Sequence, residues 1–317
     1  MTGTRRLLLV HAHPDDESIS TGATIARYAA EGAQVTLVTC TRGERGEVIP
    51  PALAALEGDG PALAAHRTGE LAEAVRALGV TEHLFLGADA GVRYQDSGMA
   101  WGAGGQAVAA PDTGPEAFAR ADVDAAARHL ARVLRRVRPQ VVVGYEPDGG
   151  YGHPDHVQAH RVTVRAVDLA AAPGDGGAPW QVAKVYEVVE PESVVRGTLR
   201  RTRPVNPFTA PDPDGPLPSV VVPDAEVTTI VVADDHLPAK TQALRAHATQ
   251  VALADGFFAL SNGVGRPLTG TEWFRLVRGV AAPDPARPDG RESDLFAGTE
   301  VPPPSVTGLG RTGDAGV

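Results

Sequence analysis

The sequence predicts an α/β fold: a mostly parallel sheet with helices on both faces, followed by a smaller mixed C-terminal lobe. Three observations carry this reading. Short apolar runs alternate with segments of helical period up to about residue 171. The runs are almost wholly apolar, as strands buried on both faces are. Glycine and proline sit where the helical segments should stop.

Each element follows in order. "RLLLV" (6–10) reads as a buried strand. Residues 20–31 read as a helix, with Gly32 in the place of a C-cap glycine. "QVTLVTC" (34–40) is the second strand. Residues 63–79 form an amphipathic helix with Leu71, Val75 and Leu78 on one face, ended by Gly79. "HLFLG" (83–87) is the third strand. Residues 122–139 form a helix that turns Val123, Leu130, Leu134 and Val137 inward and stops at Pro139. "QVVVGY" (140–145) is the fourth strand, and a helix follows over 154–171. This strand–helix alternation is Rossmann-like. It assigns residues 1–172 to a catalytic domain and 170–180 to a connector. Residues 180–280 form the smaller lobe, with strands at 182–189 and 226–232, helices at 191–200 and 236–250, and a Pro-rich loop at 203–218. Residues 281–317, rich in Pro, Gly and charge, read as a flexible tail.

Composition narrows the function. Of 317 residues, 29 are Lys or Arg and 39 Asp or Glu, a net charge of -10 with no basic stripe, which argues against nucleic acid as a partner. One cysteine, Cys40, permits no internal disulfide and fits a reducing cytoplasm. Only four apolar residues separate Arg6 from His11, too few for a signal peptide or for the roughly 20 of a membrane span, so no membrane association is expected.

Two stretches concentrate titratable groups. "HAHPDDES" (11–18) leaves the first strand and "EPDGGYGHPDH" (146–156) leaves the fourth. In a parallel sheet both lie beyond the carboxyl ends of the strands, where such folds place their sites. Nitrogen and oxygen donors without sulfur suit a catalytic Zn²⁺, one per chain, or Fe²⁺. His13 and Asp16 from one loop and His156 from the other make the minimal set. Asp15 is then free to act as general base on a water whose pKa the ion lowers. His153 stands opposite to stabilise an oxyanion or protonate a leaving amine, with Asp155 to orient it and Tyr151 as a hydroxyl donor. The plainer alternative is that "HPDD" and "HPDH" are polar turns capping the helices behind them. Two clusters at matched positions weigh toward a metal. His11 reads as a core histidine, and His160, one turn after His156, as either a fourth ligand or a helix-surface residue, the surface being favoured.

These motifs resemble the zinc-dependent N-acetylglucosaminyl deacetylases of the PIG-L, or LmbE-like, family. "TCTRGERGEV" (39–48), "AAHRTGEL" (64–71), "YQDSGMA" (94–100) and "LRAHATQ" (244–250) are similar to the actinobacterial mycothiol enzymes within it. The resemblance runs to about residue 280. It implies a cytoplasmic enzyme acting on a small pseudodisaccharide, N-acetylglucosaminyl-inositol, with Arg67 and Asp96 holding sugar and inositol hydroxyls and Glu47 and Met99 on the substrate side. It implies the same roles for His13, Asp16, His156, Asp15, His153 and Tyr151 as the residues themselves do. Members that cleave mycothiol S-conjugates read "HPDDESSKG"; this chain reads "HPDDESIST", with Ser20 in place of a lysine-containing segment, which favours the deacetylase over the amidase.

Overall fold

The computed structural model describes residues 3–101, 107–174, 177–201, 207–210 and 212–300. The elements are β1 (Arg6–His11), α1 (Asp16–Ala30), β2 (Gln34–Thr39), α2 (Gly60–Leu78), β3 (Glu82–Phe85), β4 (Met99–Trp101), β5 (Ala107–Ala109), α3 (Val123–Val137), β6 (Val141–Gly144) and the short irregular turn α4 (Gly149–Gly152). They continue with α5 (Pro154–Ala171), β7 (Lys184–Pro191), α6 (Glu192–Arg201), β8 (Val221–Val222), β9 (Thr229–Val232), α7 (Leu237–Ala246), β10 (Ala252–Ala254), β11 (Phe257–Ala259), β12 (Arg266–Pro267) and β13 (Thr271–Arg278).

The central sheet has the order β3-β2-β1-β6-β7-β13-β9, with β8 beside β7. Its strands from β3 to β7 are mutually parallel, and β13 runs antiparallel to both of its neighbours. The apolar runs explain the burial. Successive strand residues point to opposite faces, so Leu7 and Leu9 of β1 pack under α1, α2 and α7, while Leu8 and Val10 pack against α3 and α5. The chain steps outward from β1 to β2 and β3, then returns to lay β6 and β7 on the other side of β1. The strand order therefore reverses between β1 and β6, and the crevice at their carboxyl ends is where the two titratable loops emerge.

The structure corrects the expected organisation in three places. Strands β7, β9 and β13 extend the same central sheet, so residues 180–280 do not form a lobe around a sheet of their own; among the described residues of that region only the small β10-β11-β12 sheet stands apart. Helix α7 ends at Ala246 rather than 250, and residues 247–250 form a turn in which Gln250 N–H donates to His247 O. Residues 281–300 are not a tail. Leu295 and Phe296 are buried beside Tyr28, and the Glu292 carboxylate accepts hydrogen bonds from Lys184, Tyr186 and Thr229 inside the protein. Residues 301–317 lie outside the described residues. No helix among the described residues is long and apolar enough to cross a membrane.

Candidate active site

The loop from β1 to α1 is only four residues long, and it bends at Asp15, whose φ of 117° is a conformation that side chains rarely adopt. Such a residue costs about 1–3 kcal/mol and persists where its surroundings over-determine it. Here they do. The Asp15 N–H donates to Glu17 Oε2 at 3.0 Å, and Arg67 donates to Asp15 Oδ2 at 3.2 Å and to Pro14 O at 2.6 Å. Asp15 occupies the N-cap position of α1, yet its carboxylate makes no capping hydrogen bond. The turn-and-cap reading of "HPDD" thus fails for the one side chain that should carry it. Burial, opposed by Arg67, raises the Asp15 carboxyl to about 7.

Three ligand-type atoms converge beside it. His13 Nδ1 lies 3.4 Å from Asp16 Oδ2, His156 Nε2 lies 3.4 Å from the same oxygen, and the two nitrogens are 3.2 Å apart. Zinc–nitrogen and zinc–oxygen bonds of about 2.0–2.2 Å place tetrahedral ligand atoms roughly 3.3–3.5 Å from one another, so this triangle fits such an ion. The outer nitrogens fit it as well. His13 Nε2 donates to Asp155 Oδ2 at 3.1 Å and His156 Nδ1 donates to Gly149 O at 3.0 Å, which leaves the inner nitrogen of each ring as the lone-pair donor. Two other groupings, His13–His153–His156 and His13–Asp96–Asp155, also bring ligand atoms within 4.8 Å. We favour Asp16 over Asp155 because the Asp155 carboxylate is wholly buried and taken up by Ser97 N–H, Ser97 Oγ and His13.

His153 caps α5, with its Nδ1 accepting from Asp155 N–H at 3.2 Å. That bond puts the ring proton on Nε2. Burial, helped by the neighbouring His13 and His156, pushes the imidazole well below its usual pKa. Asp155 orients His153 through its backbone; its carboxylate holds His13 instead, which corrects the expected pairing. Tyr151 sits on the α4 turn with its ring 5.3 Å from that of His156, and burial keeps its hydroxyl protonated.

These groups open on one cavity of about 1320 Å³, lined also by Arg67, Asp96, Glu47 and Met99. The structure therefore brings all eleven sequence-predicted residues except Asp155 to a single cavity wall. Their freedom differs. Glu47 is exposed and Met99 half-buried on β4. Asp96 accepts from Gly98 N–H at 2.8 Å and Arg45 N–H at 3.2 Å; burial pushes its pKa up, but His13, His153 and Gly98 N–H overcome this and hold it at about 2. Arg67 is buried and spends its terminal nitrogens on Gly43 O, Pro14 O and Asp15, so it braces the loop more than it offers itself to a ligand.

Three supports, Tyr145, Glu17 and His247, take roles that the sequence did not assign to them. The Tyr145 hydroxyl donates to Asp16 Oδ2 at 2.7 Å and accepts from Ala12 N–H at 2.9 Å, while its ring stacks on His156 with centroids 4.4 Å apart. Glu17, which holds the Asp15 backbone, is itself held by Ser18 Oγ at 2.5 Å and His247 Nε2 at 2.7 Å. The signals were present: Tyr145 directly precedes the second cluster, and His247 lies in the "LRAHATQ" motif.

Comparison with known proteins places this geometry. Residues 8–167 match the family model "PIG-L: GlcNAc-PI de-N-acetylase". A protein of Kineococcus radiotolerans is 59% identical over 302 residues, covering 93% of this chain and 83% of its own. Others from Streptomyces griseus (54% over 314 residues, 98% and 92%) and Kribbella flavida (52% over 301 residues, 93% and 98%) are similar. All three carry the name 1D-myo-inositol 2-acetamido-2-deoxy-α-D-glucopyranoside deacetylase. Among solved structures, N,N'-diacetylchitobiose deacetylase from Pyrococcus horikoshii is 20% identical with a TM-score of 0.50, covering 77% of this chain and 70% of that one. The 4-carboxy-2-hydroxymuconate hydratase from Pseudomonas putida is 20% identical with a TM-score of 0.52, covering 89% and 100%. A deacetylase and a hydratase on one fold show that the architecture alone does not choose the reaction.

Proposed function

The chain belongs to the PIG-L family of GlcNAc-PI de-N-acetylases, and on that premise we propose that it hydrolyses the acetamide of 1D-myo-inositol 2-acetamido-2-deoxy-α-D-glucopyranoside, releasing acetate and the free amine for mycothiol biosynthesis. One observation carries the reading beyond kinship: the triangle of His13, Asp16 and His156 lies beside a strained, elevated-pKa carboxylate at the wall of a large cavity. In this reading His13, Asp16 and His156 hold one Zn²⁺ per chain; Fe²⁺ accepts the same donors. The bound ion supplies Lewis acidity and lowers the pKa of water.

The remaining chemistry belongs to the chain. Asp15, with a pKa near neutrality and a fixed backbone, takes the proton from the attacking water. His153 presents Nε2–H and Tyr151 its hydroxyl to the carbonyl oxygen as negative charge develops there. Proton return to the leaving amine falls to His153, with the Asp15 carboxyl that took the water's proton as the alternative donor. Asp96, Glu47 and Met99 receive the sugar and inositol, while Arg67, on the same cavity wall, braces the Asp15 loop. The reaction is read as cytoplasmic and actinobacterial, a reading that the organisms of the named relatives support.

The cavity exceeds the roughly 300–1,000 Å³ of ordinary small-ligand sites, and its lining includes Leu199, Leu217, Phe258 and Trp273. That size favours, as a second reading, slower hydrolysis of bulkier amides such as mycothiol S-conjugates at the same centre. The test is acetate or amine release from N-acetylglucosaminyl-inositol, plain N-acetylglucosamine and a mycothiol conjugate, with metal content measured. Turnover of the first substrate that survives thorough chelation, or its absence in metal-replete protein, would overturn the proposal.

A further inference from the structure

Tyr151 rides on a glycine-rich turn that two backbone hydrogen bonds hold from within, Gly149 N–H to Glu146 O and Gly152 N–H to Asp148 O, each 3.0 Å. Gly149, Gly150 and Gly152 take φ values of 68°, 83° and 91°, and glycine loses more freedom on ordering than any other residue. Side-chain contacts add to these bonds and offset that cost. Glu146, two residues past β6 and 4% exposed, is placed to do so. Its Oε2 accepts from Asp148 N–H at 2.8 Å and its Oε1 from Gly150 N–H at 2.5 Å, so the carboxylate sits in a nest of the turn's own amides. Ser219 Oγ donates to the same Oε1 at 2.8 Å. The next residue closes the tie: Val220 N–H donates to Gly150 O at 2.9 Å, and Val220 O accepts from Glu190 N–H at 2.8 Å at the end of β7. A Cβ at Gly152 would come within 2.7 Å of Ala107 O, so the turn is also pressed against β5.

We infer that Glu146, tied to the 219–220 segment, is a positioning residue that holds the Tyr151 turn in its working geometry. The inference rests on the reading of Tyr151 as a donor to the reacting carbonyl. Glu146 lies at the cavity wall, but its carboxylate is taken up by the turn's amides and Ser219, so it acts through Tyr151.

A double-mutant cycle tests it on the zinc-loaded, full-length protein with N-acetylglucosaminyl-inositol. Glu146→Gln keeps the size but turns an amide N–H₂ toward amide or hydroxyl donors. It should lower kcat on the order of 10- to 100-fold, as small misplacements of a catalytic group do, with KM within about threefold of wild type and zinc content unchanged. Tyr151→Phe should lower kcat by about 10²- to 10³-fold. In the Tyr151→Phe background the added Glu146→Gln change should cost less than about threefold, because the residue it positions is already disabled. A full, additive loss in that background overturns the inference, as does loss of zinc in Glu146→Gln, which would mean that the turn acts through Gly149 and His156. A near-wild-type Tyr151→Phe would instead sink the role given to Tyr151. If Glu146→Gln does not fold, Ser219→Ala carries the cycle: a loss of about 3- to 10-fold in wild type that vanishes with Tyr151→Phe supports the inference, and an equal loss in both backgrounds overturns it.

Discussion

Arg67 gives the sharpest prediction, because its geometry and its expected role diverge. From the sequence it belongs with the inositol; in the structure its fork is spent on Gly43 O at 2.7 Å, Pro14 O at 2.6 Å and Asp15 Oδ2 at 3.2 Å. The groove is cut for a guanidinium: a Cβ on Gly43 would fall 2.0 Å from Nη1, and one on Gly46 2.6 Å from it. Arg67→Lys keeps the charge and loses the fork. A lysine can satisfy one or two of the three acceptors. A lost hydrogen bond to a charged group is worth about 1.5–3 kcal/mol, so misplacement of the base should lower kcat on the order of 10- to 100-fold. The loss should be the same on N-acetylglucosaminyl-inositol and on plain N-acetylglucosamine, since Asp15 serves both. Arg67 also lowers the Asp15 pKa against the effect of burial, so its weakening lets that pKa rise. A base with a raised pKa is protonated up to a higher pH, and the acidic limb of the kcat profile should move to higher pH. Steady-state kinetics of both substrates across pH tests both points. A loss confined to the inositol-bearing substrate, with an unmoved acidic limb, would refute the bracing argument and return Arg67 to the substrate.

The neighbours at the bend should separate cleanly. Asp16→Asn should lose zinc and regain part of its activity with added metal, whereas Asp15→Asn should keep zinc and lose about 10²- to 10⁴-fold in kcat without rescue, both read by elemental analysis beside acetate release; equal zinc loss in the two would make both ligands. Tyr145→Phe keeps the ring stacked on His156 and removes the bond to Asp16, so zinc affinity by chelator competition should fall about 10- to 100-fold. An unchanged affinity would leave Tyr145 a packing residue. Glu292 supplies a stability test far from the chemistry. Burial raises its pKa, but Ala282 N–H, Lys184, Tyr186 and Thr229 overcome this and hold it below the ordinary 4.5. A depressed folded pKa gives stability that is present above 4.5 and lost as pH falls through the lower folded value. Glu292→Gln should therefore lower Tm at neutral pH, with the gap to wild type narrowing below pH 4.5 in thermal melts; a gap that stays constant down to pH 2 would contradict it.

What the sequence made legible follows from how local each signal is. β1, β2 and β6 are continuous apolar runs and needed no partner to be seen. Helix α5 was bounded by Pro154 and the small residues after it. β13 escaped because its charges mask its period. Glu272 is spent on Lys240, and Arg275 on Glu187 and Glu226, contacts that no window of eight residues contains. The site divides the same way. His13, Asp15, Asp16, His153 and His156 announce themselves by type and spacing. The supports do not, because Tyr145 reaches back to Asp16 and His247 to Glu17 across long stretches of chain. Residues 281–300 read as a tail for a related reason: Leu295 and Phe296 are a short apolar pair in a polar stretch, and only the fold shows the slot beside Tyr28 that receives them.

The crevice between β1 and β6 also sets when the centre can exist. On the proposed ligand set, the amino-terminal loop contributes two donors and the third comes from His156, more than half-way through the first 280 residues of synthesis. A nascent chain carrying only the first loop has two of the three donors. Metal capture must wait until β6 has docked beside β1, and the ion then acts as a rivet across that seam, stabilising the docked form by mass action according to its free concentration. Zinc-starved cells would be expected to accumulate chains whose weakest line runs between these two strands, and protease nicking of the 145–156 segment in metal-free protein, suppressed by zinc, would trace it.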